Sequence, residues 1–309
     1  MATTAARVKG LPPARRLRCS GIVPRPLSVS VVIPVKDDDA ELARCLGALA
    51  AQSRTPDEVV VVDNGSTDAS AAVARSFGAR VVRCDTPGIP AASATGYDAA
   101  TGDVLLRLDA DCVPDPSWVQ TMADRFDARP DVVAFTGRAR FIDGPRALRA
   151  PLAAAYLGAY AAVMVPTLGH LPLFGSNMGI RRDAWRGIRH LVHTTDPRLH
   201  DDMDLAFHLG ERGRIRYVHG TAMGMSMRPF GSGRSFARRA WRGLLTVSVH
   251  LPQDFAPVRW TKLALGRALK SSAGNRSVRA LRSRVRGARH PARRSSRSFS
   301  ATSSSESTL

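Results

Sequence analysis

Two carboxylates, Asp109 and Asp111, follow an apolar run in the stretch LLRLDADCVPD, which spans residues 105–115. Acidic residues commonly occur where a strand ends and a turn begins, so one interpretation of this pair is structural. The other interpretation is chemical, because carboxylate oxygens held at a rigid strand end can bind a hard divalent cation. The positions of the other acidic residues bear on this choice.

Acidic residues occupy similar positions elsewhere in the chain. Asp37 and Asp63 each follow a run of β-branched residues, and the pair Asp201-Asp202 precedes a segment with helical spacing. The acids at 37–39 are also typical of a helix N-terminus, and Asp63 is also typical of an Asx turn. Three acidic strand ends are nevertheless harder to explain by turn chemistry than a single pair.

The periodicity of the sequence predicts an α/β fold that brings these strand ends together. Predicted helices include one capped by Ser66 that runs to Phe77 and one with Pro116 at its first position. Alternating strands and helices favour parallel pairing, and ligands then bind beyond the carboxyl ends of the strands. The predicted strands are 28–35, 57–63, 79–84, 103–109 and 131–137.

Charge divides the 309 residues into a core and two basic ends. The net charge is +19; residues 1–28 hold six Lys or Arg and no acid, and residues 271–309 hold nine Arg and one acid. Such ends contact anionic lipid or nucleic acid, or are simply solvated tails. The predicted divisions are a disordered basic segment (1–27), a main domain (28–230), a helical extension (231–270) and a disordered Arg/Ser-rich tail (271–309).

Residues 150–180 contain no Asp, Glu, Lys or Arg. The unbroken apolar part, 152–165, is shorter than the roughly 20 residues that a spanning helix needs, so a buried or interfacial helix is favoured. The four cysteines lack the spacing of a metal site or a disulfide framework. This usage favours a cytoplasmic location, and the basic ends suggest peripheral contact with the inner face of the plasma membrane.

Taken in order, several segments resemble the signatures of family-2 glycosyltransferases of the GT-A fold. The resemblance covers roughly Ser28 to Arg242 and implies a mostly parallel central sheet flanked by helices in a single main domain. It also implies an inverting enzyme that uses Mg²⁺ or Mn²⁺ to move a sugar from a nucleotide-diphosphate donor to a hydroxyl acceptor, a glycan or a lipid-linked one. The segments are VVIPVKDD (31–38), VVVVDNGSTD (59–68), LRLDADC (106–112), FGSNMGIRRDAW (174–185) and HDDMDLAFHL (200–209).

The resemblance also implies roles on the donor side. Asp111 would ligate the cation, Asp109 would contact the ribose or a metal-bound water, and Asp63 would accept a hydrogen bond from the base. The loop after the first strand would line the nucleotide pocket. The implied donor-binding residues are Pro34, Val35, Asp37, Asp63, Asp109 and Ala110, and the implied metal ligands are Asp109 and Asp111.

On the acceptor side, the resemblance implies that Asp202 is the catalytic base. A helix N-terminus stabilises an ionised carboxylate and weakens its basicity, whereas a nearby diphosphate has the opposite effect. Gly175, Ser176 and Asn177 can offer backbone and amide donors to sugar hydroxyls. These three residues and Asp201 are the predicted acceptor contacts.

Some features depart from the family pattern. Ser93-Ala94 stands where the family often has Arg-Asn, the QxxRW element of processive synthases is absent, and Arg107 inside a strand is unexplained. A basic binding protein at a membrane or nucleic acid, with a weak catalytic domain, is one alternative, although no specific nucleic acid is expected. A nucleotidyltransferase is another, but its Gly-rich loop after the first strand is missing.

Overall fold

The computed structural model describes residues 25–228, 232–266 and 268–269. The predicted Arg/Ser-rich tail and all but residues 25–27 of the predicted basic segment lie outside this part of the chain. A helical segment at 256–266 follows the last numbered helix. The elements are β1 (Val29–Val35), α1 (Asp39–Ala50), β2 (Glu58–Asp63), α2 (Ser70–Ser76), β3 (Arg80–Arg83), α3 (Ile89–Ala99), β4 (Val104–Arg107), β5 (Val113–Pro114), α4 (Trp118–Ala128), β6 (Val132–Phe141), α5 (Arg146–Leu168), β7 (Met178–Arg181), α6 (Arg182–Ile188), α7 (Asp201–Arg212), β8 (Arg214–Met225) and α8 (Gly233–Val249).

The strands form one sheet in the order β3-β2-β1-β4-β7-β6-β8-β5. The first four strands in this order pair in parallel, β7 is antiparallel to both of its neighbours, and β6 and β8 are parallel. In the parallel part, Val35 pairs with Asp63 and Val32 pairs with Arg107. The carboxyl ends of β1, β2 and β4 therefore meet at one edge, as the sequence predicts.

The sheet is covered on both faces, which explains why its central strands are almost continuously apolar. Successive residues of β1 point to opposite faces, so Val31 and Ile33 belong to one core and Val32 to the other. Leu42 of α1 and Phe126 of α4 pack into the first core. The second core takes its large side chains from α3, α6 and α7, including Tyr97, Trp185 and Phe207.

Several elements differ from their predicted extent: β6 runs four residues past the predicted end at 137, and α4 begins at Trp118 rather than at Pro116. The helix expected to start at Ser66 begins at Ser70, because Ser66 lies in a turn where its N–H donates to Asp63 Oδ1 and its hydroxyl accepts from the Asp37 N–H. β4 ends at Arg107, two residues before the predicted strand end. Asp109 and Asp111 therefore lie in the loop after the strand rather than on the strand itself.

The apolar segment forms one continuous helix, α5, which includes Pro151 and Pro166. Among the described residues, this helix alone is long and apolar enough to cross a membrane, a property shared by many core helices of soluble proteins. Only 17% of its apolar window is buried, so the expectation of a buried helix is wrong for most of its length. The expectation of an interfacial helix remains a prediction.

Two helical glycines provide a matched test of how tightly α3 packs on the sheet. A Cβ at Gly96 would overlap the Val32 side chain, whereas a Cβ at Gly47 in α1 would meet nothing within 4 Å. We expect Gly96→Ala to lower the free energy of unfolding by about 1–3 kcal/mol through overpacking. Gly47→Ala should raise it by up to about 1 kcal/mol. Urea unfolding measures the free energy of unfolding of both variants. Equal values would show that α3 does not pack tightly against Val32 at Gly96.

Candidate active site

A cavity of about 720 Å³ opens at the edge of the sheet where β1 and β4 end. One side is polar and is formed by the loops after these strands, the segment around Gly175 and the N-terminus of α7. The other side is largely apolar and comes from α5 and α8, with Tyr160, Val163 and Leu244 among its residues. The cavity therefore joins a charged region to an apolar wall.

The acidic pair after β4 lies in the polar region of this cavity. Asp109 Oδ1 is 2.9 Å from Arg107 Nη2, and its other oxygen accepts a short hydrogen bond from the Ser176 hydroxyl. Asp111 Oδ2 is 3.0 Å from Arg228 Nη2. Burial and the neighbouring Asp109 charge raise the pKa of Asp111, and Arg228 opposes this shift.

Arg107, which the sequence left unexplained, is a buried cation that joins two acidic segments. Its side chain is 3% exposed, and Nη2 lies 2.9 Å from Asp109 and 3.5 Å from Asp201. Burial alone would lower the pKa of Arg107, but these two carboxylates raise it well above its usual range. Ser93, where the family often has arginine, donates to Asp201 Oδ2 at 2.8 Å. In this chain the positive charge beside Asp201 therefore comes from Arg107 of β4, whereas the usual family arginine would come from the position of Ser93 in α3.

Asp202 lies in the first turn of α7 and lines the same cavity. Its two oxygens accept hydrogen bonds from the N–H groups of Gly175, at 2.8 Å, and of Met203, at 2.9 Å. Burial and the adjacent Asp201 raise the pKa of Asp202, and this effect exceeds the opposing influence of His200, Arg107 and the Gly175 N–H. The carboxylate is thus held in place by the backbone and is more basic than an ordinary aspartate.

The segment 175–177 splits between the cavity and the core. Gly175 and Ser176 line the cavity, and a Cβ at Gly175 would overlap the Arg107 guanidinium, so any larger residue would displace this arginine. Asn177 is fully buried; its Oδ1 accepts from Trp118 Nε1, and its Nδ2 donates to a backbone carbonyl. The structure therefore places Asn177 among core side chains rather than with the predicted acceptor contacts.

The predicted donor residues are likewise divided. Pro34, Val35 and Ala110 line the cavity, but Asp37 does not. Asp37 has a left-handed φ of 50°, and its carboxylate accepts from the Thr67 N–H, which lowers the pKa of Asp37. The acid of this loop that faces the cavity is Asp38. Asp63 accepts the Ser66 N–H in an Asx turn at the end of β2 and does not line the cavity, whereas its neighbour Asn64 does.

The donor set at the cavity suits a hard divalent cation. Asp38, Asp109 and Asp111 supply carboxylate oxygens, which Mg²⁺ and Mn²⁺ prefer. Cys112 is close enough to join Asp109 and Asp111 as a ligand, but burial raises the pKa of its thiol, and a protonated thiol is a poor ligand. The fit therefore rests on oxygen ligands alone.

Sequence reasoning missed two cavity residues with clear roles. Arg228 binds Asp38 through two nitrogens, at 2.7 and 3.0 Å, in addition to Asp111. It lies 190 residues from Asp38 in sequence, and no local pattern marks it. Asp38 itself was visible as one of three consecutive acids, but the sequence could not show which one turns inward.

This sheet order, with acids from separate segments around one cleft, defines a fold of the GT-A type. The family model described as glycosyl transferase family 2 matches residues 30–188, and the chain belongs to this family. Among solved structures, the mannosyltransferase PcManGT from Pyrobaculum calidifontis, in complex with GDP-Man and Mn²⁺, is similar with a TM-score of 0.55. The match covers 85% of this chain and 81% of the PcManGT chain at 18% sequence identity, so the likeness concerns the fold alone.

Curated relatives match only part of their own length. Glycosyltransferase AglE of Haloferax volcanii is 35% identical over 100 residues, which are 30% of this chain and 33% of that protein. The glucosyl-dolichyl phosphate glucuronosyltransferase of the same organism is 32% identical over 95 residues, 29% of this chain and 30% of that protein. The matched part thus spans about a third of these relatives. The family model thus shows which family the chain belongs to, and the activity and substrates of the protein are proposed below.

The buried position of Arg107 predicts a large effect when its charge is removed. Arg107→Met should lower the free energy of unfolding by about 3 kcal/mol, because Asp109 and Asp201 would lose their cation in a poorly solvated site. This value is at the lower end of the roughly 3–5 kcal/mol usually lost when a buried ion pair is broken, because Asp109 is about one-third exposed. Urea unfolding measures the change. The control is Arg83→Met, which breaks the exposed pair with Asp85 and should leave stability unchanged. Identical midpoints for both variants would show that Arg107 is not required for stability.

Proposed function

We propose that the protein is an inverting, cation-dependent glycosyltransferase that moves a sugar from a nucleotide-diphosphate donor to a hydroxyl acceptor. The observation that carries this proposal is that Asp111 and Asp202, 91 positions apart in sequence, open onto the same cavity. One belongs to a cluster of oxygen ligands suited to a cation, and the other is a carboxylate with a raised pKa. A transferase of this kind needs both.

The donor diphosphate is best accommodated beside the acidic pair. Asp109 and Asp111, with Asp38 nearby, would hold Mg²⁺ or Mn²⁺, and the cation would neutralise charge on the leaving diphosphate. Lys36 and Arg228 also line this part of the cavity and can face phosphate oxygens. PcManGT, the structural neighbour, contains GDP-Man and Mn²⁺, which supports this class of donor. Asp63 remains our predicted contact for the base.

Asp202 is the proposed general base. It would take the proton of the acceptor hydroxyl while that oxygen bonds to the anomeric carbon, and the bond from this carbon to the diphosphate would break. Attack from the face opposite the leaving group inverts the configuration. The raised pKa favours proton transfer to this carboxylate, and the hydrogen bonds from Gly175 and Met203 fix its direction.

The apolar wall supports an acceptor with a lipid portion. Tyr160, Val163 and Leu244 flank the cavity opposite the acids, and Val163 and Leu244 are 66% and 64% exposed. A free glycan would leave this surface in water, whereas a lipid-linked glycan would cover it. The name of one relative, a glucosyl-dolichyl phosphate glucuronosyltransferase, agrees with this class of acceptor. A cytoplasmic position with peripheral contact at the inner membrane face fits the proposal and stays a prediction.

The proposed base can be separated from the donor site by substitution. Asp202→Asn should lower kcat by at least about 10²-fold while nucleotide-diphosphate binding is retained, because the amide cannot accept the proton. Asp111→Asn should instead weaken Mn²⁺-dependent nucleotide binding. Isothermal titration with a panel of nucleotide diphosphates, with and without Mn²⁺, measures binding, and steady-state transfer at saturating donor measures kcat.

Asp183→Asn is the matched control, since Asp183 is 94% exposed in the first turn of α6 and should affect neither quantity. Full turnover in Asp202→Asn would exclude this residue as the base. Nucleotide binding that does not respond to Mn²⁺ in the unmodified protein would remove the cation from the proposal.

The acceptor proposal predicts where a transferred label is recovered. When the protein is incubated with radiolabelled nucleotide sugars, Mn²⁺ and a bacterial membrane extract, the product should partition into organic solvent. Leu244→Glu should reduce this product at least tenfold with nucleotide binding unchanged, because it places a charge on the apolar wall. Phe77→Glu, at an exposed apolar residue after α2, is the control. A product found only in the aqueous phase would favour a free glycan as acceptor.

A further inference from the structure

A second cluster of chemically capable side chains surrounds Asp204 of α7. His193, Asp204, His208 and His250 place one ligand atom each within 4.8 Å of one another. Three imidazole nitrogens face one carboxylate oxygen, Asp204 Oδ1: His193 Nδ1 at 2.9 Å, His250 Nε2 at 3.1 Å and His208 Nε2 at 3.7 Å. These residues come from the segment after α6, from α7 and from the end of α8.

Two of these nitrogens are buried without a hydrogen-bond partner. Within the described residues, neither His208 Nε2 nor His250 Nε2 has one, although both face Asp204. The side chains of His250 and Asp204 are 2% and 1% exposed, so this pair lies away from bulk solvent. A buried polar atom left unpaired is unfavourable, and its presence in a folded protein calls for a specific occupant.

We propose that these four residues form a binding site for a divalent transition metal, with Zn²⁺ as the best candidate. Imidazole nitrogens and carboxylate oxygens are both zinc ligands, and four protein ligands complete a tetrahedral shell. With bonds of about 2.0–2.1 Å, ligand atoms in such a shell lie roughly 3.3 Å apart. The present separations between imidazole nitrogens and the carboxylate oxygen, 2.9 to 3.7 Å, bracket that value.

Neighbouring groups already orient the ligands. The second oxygen of Asp204 accepts the His193 backbone N–H at 2.7 Å, which leaves Oδ1 free to face the imidazoles. The Phe207 ring packs edge-on against His250, with centroids 3.9 Å apart.

The site is distinct from the acidic pair in both chemistry and role. Nitrogen ligands favour zinc or similar ions, whereas the oxygens of Asp109 and Asp111 favour Mg²⁺ or Mn²⁺. A closed set of four ligands leaves no position for a substrate, so the metal would be structural. It would tie the segment after α6 and the end of α8 to α7, the helix that carries Asp202.

Cobalt substitution in the full chain tests the proposal. After chelation, one equivalent of Co²⁺ should give the visible absorption of a tetrahedral centre, and Zn²⁺ should displace it. His193→Gln should abolish this absorption and weaken Zn²⁺ binding by at least the roughly 10–100-fold seen when outer-shell partners are removed. Zn²⁺ should raise the Tm of the unmodified protein but not of this variant. His193 is suitable because its side chain is 43% exposed and its loss should not disturb the core.

Two matched variants distinguish this site from other histidines and from the donor site. His190→Gln changes an exposed histidine three positions away, and Asp111→Asn changes the acidic pair; both should keep the cobalt absorption. His208→Gln, like His193→Gln, should lose it. The proposal is overturned if the unmodified protein shows no tetrahedral absorption with Co²⁺, or if both cluster variants keep it. In either case the four side chains are an imidazole–carboxylate network without a metal.

Discussion

The candidate active site depends on one interaction, the pairing of the buried Arg107 guanidinium with Asp109 and Asp201. The guanidinium lies at the end of β4 and faces Asp109 on one side and Asp201 on the other, so it joins the loop after a central strand to the N-terminus of α7. Without a cation there, carboxylates from two distant segments would repel one another in a poorly solvated space. The same guanidinium occupies the space beside Gly175 that a side chain would fill, and the N–H of that glycine donates to Asp202. The same arginine therefore neutralises the two carboxylates and packs against the glycine that holds the proposed base.

The parallel part of the sheet supplies the other constraint. Because β2, β1 and β4 run in the same direction, the loops that follow them share one edge, and acids that follow strands gather there. The antiparallel β7 then brings the segment around Gly175 to the same edge, since that segment precedes the strand. α5 and α8 close the cavity with apolar side chains, which gives it a polar region for a charged donor and an apolar wall.

The regular elements were the most predictable part of the molecule. The first three strands were predicted to within one residue, because β-branched runs between polar turns are a strong local signal. The predicted α2 started too early because Ser66, a good helix cap in isolation, bonds instead to the loop after β1. Asn177 shows the same limit: its amide could have bound a sugar, but Trp118 and a backbone carbonyl occupy it.

The sequence by itself determined the α/β class, the family and the acids at strand ends, since these depend on local periodicity and on short contiguous motifs. Only the tertiary structure decided which acid of 37–39 faces the cavity, what neutralises Asp109 and Asp201, and that Arg228 reaches Asp38. It also brought together His193, His208 and His250, which no spacing in the sequence connects. The physical reason is that burial and charge pairing depend on distances between segments, and these distances exist only once the chain has folded.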